Sequence, residues 1–172
     1  TEFFEHKTID HGATLYGELV DVLLAIHKPG QKQGEKIDQL VSTLDILPTI
    51  LDLLEIKNPV PDQIKGVSLV PSLAGQKVEH NVFSETDYRL YTFKRSIQTV
   101  DGWKFILSLE NEKKELYNLK NDPTEQKNLI AENPQKGYEI EKILRAHIDS
   151  ISGQRTKEQL GCSPVYGDQC KK

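Results

Sequence analysis

The side chains best able to carry chemistry gather at the start of this sequence. The stretch TEFFEHKTIDHG sets His6 and His11 among acids, with Asp10 and Glu18 close by. Histidine changes charge near neutrality, so either residue could carry a cation or pass a proton. The residues alone also permit a plainer reading, with His11 capping or entering a helix and His6 on a surface loop. Asp10 and Glu18 could orient the two rings as acceptors, which their spacing allows but does not demand. His27, His80 and His147 read as surface or packing residues. Cys162 and Cys170 stand in the polar tail CSPVYGDQC. That spacing allows a small disulfide loop, and two free thiols fit it equally well. No other cysteine and no paired histidine lies near them, so the sequence indicates no metal site.

Bulk composition narrows the class of protein. The chain has 172 residues, a net charge of -4 and 37 % hydrophobic residues, enough for one domain or two small lobes with a real core. Mild acidity with mixed Lys and Glu argues against nucleic acid as a partner, since such binders concentrate basic charge on one face. No apolar run is long enough to span a bilayer, so no transmembrane segment is expected. The chain opens on Thr1, contains no Met, and begins without a helix or strand lead-in. We therefore expect a piece of a longer protein.

The elements that must position these residues fall into two groups, with a break near Gly75 to His80. In the first, Leu15, Tyr16, Leu19 and Val20 recur at helical spacing, predicting a short helix after Gly12. Val22 to Ile26 is an apolar run stopped by Pro29-Gly30, which predicts a buried strand, and KIDQLVS predicts a second. LDILPTILDLLEI predicts a helix with Asp45 as N-cap and Pro48 in its first turn. Its apolar stripe of Ile46, Leu47, Ile50, Leu51 and Leu54 should pack on something large. VSLVPSLAG predicts one helical turn closing on Gly75. In the second group, HNVFSET, KRSIQTV, GWKFILSL and KELYNL predict four short strands, with a hairpin signal at Asp101-Gly102. GYEIEKILRAHIDSI is an amphipathic helix able to cover that sheet. In ELYNLKNDPTEQKNL, alternation puts Leu116 opposite Tyr117 and Leu119, and Asp122-Pro123 forces a turn. On residue physics alone that stretch is a strand, a turn and a restart without chemistry.

The same stretch closely resembles the C-terminal signature of the sulfatase family, usually written ELYDLxxDPxExxNL. Glu115, Leu116, Tyr117, Leu119, Asp122, Pro123, Glu125, Asn128 and Leu129 match it, and Asn118 stands where Asp is usual. Asp45, Ile46, Pro48, Thr49, Ile50, Leu51, Asp52 and Leu53 resemble a second family stretch. KGVSLVPSLAG and RSIQTVDGWKFI resemble two more, with Gln98 replacing an Arg in the latter. The opening EFFEHKTIDHGATLYGELVDVLLAIHKPG is similar to the region after the family's Asp-His-Gly-Glu metal motif. Gly17 stands where Asp is common, and Leu23 where Pro is common. The matches run in order up to about Ile151.

The resemblance places the chain in the alkaline phosphatase superfamily and implies an α/β fold. Residues 1–78 would end the sulfatase-like α/β domain. Residues 79–151 would form a small α+β subdomain, a four-stranded antiparallel sheet with a closing helix, and residues 152–172 a polar tail. It implies hydrolysis of a sulfated small molecule or glycan by formylglycine and Ca²⁺ in the full-length parent, with the rest of the sulfatase chain as partner. The nucleophile motif Cys/Ser-x-Pro-x-Arg is absent from this sequence and the metal pair would precede Thr1, so both groups lie outside this chain. Alone it should not turn over a sulfate ester. His11 is the implied catalytic residue, binding sulfate oxygens and protonating the leaving group. His6 and Arg95 are implied to bind substrate, and Tyr88 to edge the cleft. A periplasmic, secreted or lysosomal location would suit the family. The alternatives are a phosphodiesterase or phosphonate monoester hydrolase of the same superfamily, or a non-catalytic binding or oligomerisation module.

Overall fold

The fold is taken from a computed structural model, which describes residues 1–7, 9, 11–89 and 92–152. Its described residues form two compact units. One joins residues 1–22 to the chain from Phe83 onward, and the other runs from Leu23 to Val82.

The first unit is built on a four-stranded antiparallel sheet in the order β1-β2-β3-β4. Its strands are β1 (Val82–Tyr88), β2 (Thr92–Gln98), β3 (Trp103–Ser108) and β4 (Lys113–Asn118), followed by a long helix over Pro134–Ser152. These are the strands and the helix expected from the sequence. The β2–β3 turn closes as Asp101-Gly102 predicts: Thr99 N donates to Trp103 O at 2.8 Å, and Gly102 takes φ +88°, which favours glycine. Register places Ile97, Phe105 and Leu116 side by side, and Gln98, Lys104 and Tyr117 on the opposite face.

Both faces of the sheet are covered. Ile140 and Leu144 of the long helix close over Ile97, Phe105, Leu107 and Leu116. On the other face Leu15 packs with Ile106 and Tyr117, joined by Tyr16, Val20 and Leu119. The opening segment is thus the second cover of the sheet. The helix expected after Gly12 shrinks to α1 (Gly17–Val20), with Tyr16 extended at its N-cap (φ -70°, ψ 162°). Leu15 and Tyr16 insert as extended chain instead.

In the second unit a 3-10 turn over Thr43–Asp45 leads into α2 (Ile46–Leu53), and α3 (Val70–Leu73) closes on Gly75. The long helix of the first unit is therefore α4. Asp45 precedes α2 as expected, but its carboxylate makes no cap bond to that helix. Ser42 caps the 3-10 turn, while the fully buried Asp45 accepts from Ser42 N at 2.8 Å and Val67 N at 2.9 Å and pairs with His80 Nε2 at 3.0 Å. Thr49 extends this node by accepting from Leu69 N at 2.9 Å.

Two expectations fail here. Val22–Ile26 is not a buried strand: it has no regular structure, and Leu23 is 94 % exposed. KIDQLVS is not a strand either. A strand requires a hydrogen-bonded neighbour, and neither run has one among the described residues. The α2 stripe is likewise open, with Leu47, Ile50 and Leu54 all exposed.

Leu116 is fully buried between β3 and α4. Leu116→Ala should destabilise the protein by about 3 kcal/mol in denaturant titration. Tyr138→Ala, on the exposed side of α4, should shift it by less than about 0.5 kcal/mol. Equal effects would contradict this packing.

Candidate functional site

β4 brings Glu115 and Tyr117 to the face covered by the opening segment, against Ile106 and Lys104 of β3. Buried Glu115 accepts from Tyr16 Oη at 2.6 Å and Tyr117 Oη at 2.7 Å, and pairs with Lys113 Nζ at 2.9 Å. Burial pushes its carboxyl upward, but these three donors outweigh burial and leave it below the usual carboxylate range. The same contacts hold both phenols protonated: burial, then the Glu115 carboxylate, raises Tyr16 and Tyr117 well above the ordinary phenol value.

The turn after β4 is fixed by its own side chains. Asp122 accepts from Gln126 N at 3.1 Å and Lys127 N at 2.8 Å, and the Lys127 N–H chiefly lowers its carboxyl. Asn128 accepts from Leu116 N at 3.0 Å and donates to Lys114 O at 3.2 Å, tying the restart to β4. Between them Glu125 sits in the left-handed region, φ 55°, and is 2 % exposed. One carboxylate oxygen lies 2.8 Å from Nζ of the equally buried Lys104, and the other accepts from Gly17 N at 2.6 Å. Burial raises the Glu125 carboxyl, with Lys104 pulling against it.

His6 meets this anchor directly. Its Nε2 is 3.1 Å from the Glu125 carbonyl oxygen, its Nδ1 is 3.2 Å from Glu18, and its ring stacks on Tyr16 at 3.6 Å. Glu18 stands beside His6, as the sequence allows, while Asp10 lies outside the described residues. His11 is exposed. Its neighbour Gly12 takes φ +97°, and a Cβ there would stand 2.8 Å from the Tyr88 ring. Thr86 Oγ1 donates to Gly12 O at 2.5 Å. Glycine is thus required beside His11, and β1 fixes the backbone that presents it.

Arg95 does not join the histidines. By register it shares the α4-covered face with Leu107 and Lys114, and it is 2 % exposed. Its guanidinium donates to Asp87 at 2.7 Å and Thr86 O at 3.2 Å, and pairs with Glu85 at 3.3 Å. Its neighbour Lys94 points to the other face and lines a cavity with His6, Tyr16, Lys113 and Glu115. Sequence reasoning missed Lys94, Lys104 and the anchoring roles of Glu115 and Glu125. The available signal was charge at strand positions between apolar neighbours, as at Lys104 in GWKFILSL.

Among the described residues no three His, Cys, Asp or Glu side chains converge on a common point suited to a metal ion. The described residues therefore do not fit a Ca²⁺ site. Cys162 and Cys170 lie outside the described residues. No described helix is long and apolar enough to cross a membrane.

Comparison with known proteins places this arrangement. Residues 4–154 match the family described as N-sulphoglucosamine sulphohydrolase, C-terminal. The chain is 35 % identical over 150 residues to a Delta 4,5-hexuronate-2-O-sulfatase of Bacteroides thetaiotaomicron, covering 83 % of this chain and 30 % of the relative. It therefore spans under a third of that protein. A solved structure from Bacteroides thetaiotaomicron, described as a candidate sulfatase, matches with a TM-score of 0.60 and 34 % identity, over 81 % of this chain and 30 % of that one. Another, solved with its substrate D-glucosamine-2-N,6-O-disulfate, matches at a TM-score of 0.51 and 26 % identity, over 60 % and 23 % of the two chains.

The lowered carboxyl of Glu115 makes a prediction about acid. A carboxylate that binds protons less readily when folded contributes stability above the ordinary carboxylate range and loses it as pH falls through that range. Glu115→Gln should flatten the acid limb of the stability–pH curve, read by denaturant titration between about pH 3 and 6. Parallel acid limbs in the two proteins would contradict the role given to Glu115.

Proposed function

The chain belongs to the sulfatase family through its C-terminal portion, and on that premise we propose that it forms one wall of a site where the whole protein hydrolyses a sulfate ester of a sugar. The observation that carries the reading is the use of the Glu115–Leu129 signature. Its carboxylates grip Tyr16 and Gly17, so the signature positions the segment that bears His6 and His11.

His11 is the group we place on the sulfate. It is exposed, its backbone is fixed through Gly12, and its imidazolium can donate to sulfate oxygens. As the ester C–O–S linkage opens at sulfur, the departing sugar oxygen needs a proton, and His11 is suited to give it. His6, with its nitrogens facing Glu18 and the Glu125 carbonyl, supports the substrate side by fixing the loop. Arg95 contributes by tying β1 to β2 through Asp87. The nucleophile and metal expected of the family would come from outside this chain.

The rest of the sulfatase chain is the partner this reading requires. Leu47, Ile50 and Leu54 expose an apolar stripe on α2, and such a stripe favours burial against a larger body. Residues 1–78 then close the larger domain and residues 79–151 form the subdomain, with residues 1–22 packed with the subdomain's sheet. The named sulfatases among the relatives favour sulfate over the phosphodiester or phosphonate alternative.

The test is hydrolysis of an aryl sulfate, with Ca²⁺ added, by the whole protein containing this chain. His11→Ala should lower kcat by about 10²-fold or more with the melting temperature unchanged. An unaltered kcat would remove His11 from the chemistry.

A further inference from the structure

One residue holds both ends of the stretch that carries His11. The Glu125 carbonyl oxygen meets His6 Nε2 at 3.1 Å, and a carboxylate oxygen of the same residue accepts from Gly17 N at 2.6 Å. The His6 ring lies on Tyr16 with centroids 3.6 Å apart and planes 12° apart. That stack closes the neck of a loop, with His11 midway between the two rings in sequence. The protons at this neck decide whether it can stay closed. A carbonyl oxygen can only accept, so Nε2 carries hydrogen there. Nδ1 then faces a second acceptor, the Glu18 carboxylate at 3.2 Å. The His6 side chain is 9 % exposed. Nδ1 and Glu18 Oε2 are both closed to water, and neither has a hydrogen-bond partner among the described residues. In a neutral ring Nδ1 would turn a bare lone pair toward a carboxylate with no water between them. A proton on Nδ1 converts that repulsion into an ion pair, which needs no hydrogen-bond alignment, and an imidazolium is also favoured on the Tyr16 ring face.

The other charged groups around the neck are already answered. Lys104 pairs with Glu125, Lys113 with Glu115 and Lys94 with Glu110. Asp122 accepts from the Gln126 and Lys127 amides, and Glu5 from the Phe3 amide. The Gln126 side-chain amide, 3.5 Å from Nε2, donates to Thr124 O. We propose that His6 is a proton-dependent positioning residue: as an imidazolium between Glu18 and the Glu125 carbonyl it locks the loop that presents His11, and loss of its proton releases that loop. The lock stands on this geometry, and its effect on turnover rests on the sulfatase reading. Histidine changes charge near neutrality, so the closed neck, which contains the proton, is favoured in mild acid and given up as pH rises. Glu125 works in the opposite sense: burial raises its carboxyl, and protonating it would weaken the hold on Gly17 in acid. Loosening in alkali therefore reports His6 and not Glu125.

Amide hydrogen exchange of the whole protein containing this chain, corrected for the intrinsic pH dependence of exchange, reads the lock without turnover. Protection of the Gly17 to Asp21 amides should be about tenfold greater at about pH 5.5 than at about pH 8, while the β3 amides change little. His6→Gln, whose amide can still donate to the Glu125 carbonyl but does not titrate, should remove that contrast. Glu18→Gln, at a more exposed position, should remove it too and guards against misfolding of the first variant. Equal protection of the parent at the two pH values, or a contrast that persists in either variant, overturns the proposal. In aryl sulfate hydrolysis, the ratio of parent kcat to His6→Gln kcat should be about tenfold larger at about pH 5.5 than at about pH 8. A ratio independent of pH would overturn the positioning role. Protection that depends on pH in a protein that hydrolyses no sulfate ester would keep the lock and sink the sulfatase reading. Hydrolysis with protection independent of pH would do the reverse.

Discussion

The buried pair of Lys104 and Glu125 is the contact on which the first unit depends. Both side chains are nearly closed to water and stand 2.8 Å apart, so neither charge is tolerable without the other. Glu125 reaches this position only by taking a left-handed backbone, an arrangement that costs about 1 kcal/mol or more and persists where surrounding contacts enforce it. Its second oxygen and its carbonyl then fix Gly17 N–H and His6. One residue thereby links β3, the turn after β4 and the opening segment.

That linkage explains why the sheet has two covers of different kinds. α4 covers one face chiefly by apolar packing, through Ile140 and Leu144, with the Lys114–Glu141 ion pair beside them. The other face is closed by a segment with only one helical turn, and apolar contacts at Leu15 and Val20 are few. Polar anchors make up the difference: Glu115 accepts hydrogen bonds from two phenols, and Glu125 accepts one from a backbone N–H and pairs with an ammonium. A short, poorly helical segment carrying exposed His11 is held in a defined place by such directional bonds better than by burial of its own side chains.

Much of this was legible in the sequence, and the limits are instructive. The four strands, the Asp101-Gly102 turn and α4 follow from alternation, turn chemistry and helical spacing, because the sheet and α4 bury their apolar faces within one unit. Val22–Ile26 and KIDQLVS carry the apolar character of strands, yet pair with nothing among the described residues. Pairing is a property of two segments, and one segment's composition cannot supply the other. The signature was recognisable as a pattern, but a strand followed by a turn gave no hint that Glu115 and Glu125 reach about a hundred residues back along the chain. Likewise nothing in the sequence separates Arg95 from Lys94, and only the register of β2 against β3 puts Arg95 under α4 while Lys94 faces the cavity.

The central claim is that Glu125 fastens the opening segment to the sheet, and amide hydrogen exchange tests it most directly. In the whole protein, the double variant Lys104→Met with Glu125→Ala, which leaves no buried ammonium unpaired, should cut protection of the Gly17 to Asp21 amides by about tenfold or more, while the β3 and β4 amides beneath α4 keep theirs. Unchanged protection at Gly17, or an equal loss throughout the sheet, would contradict the account.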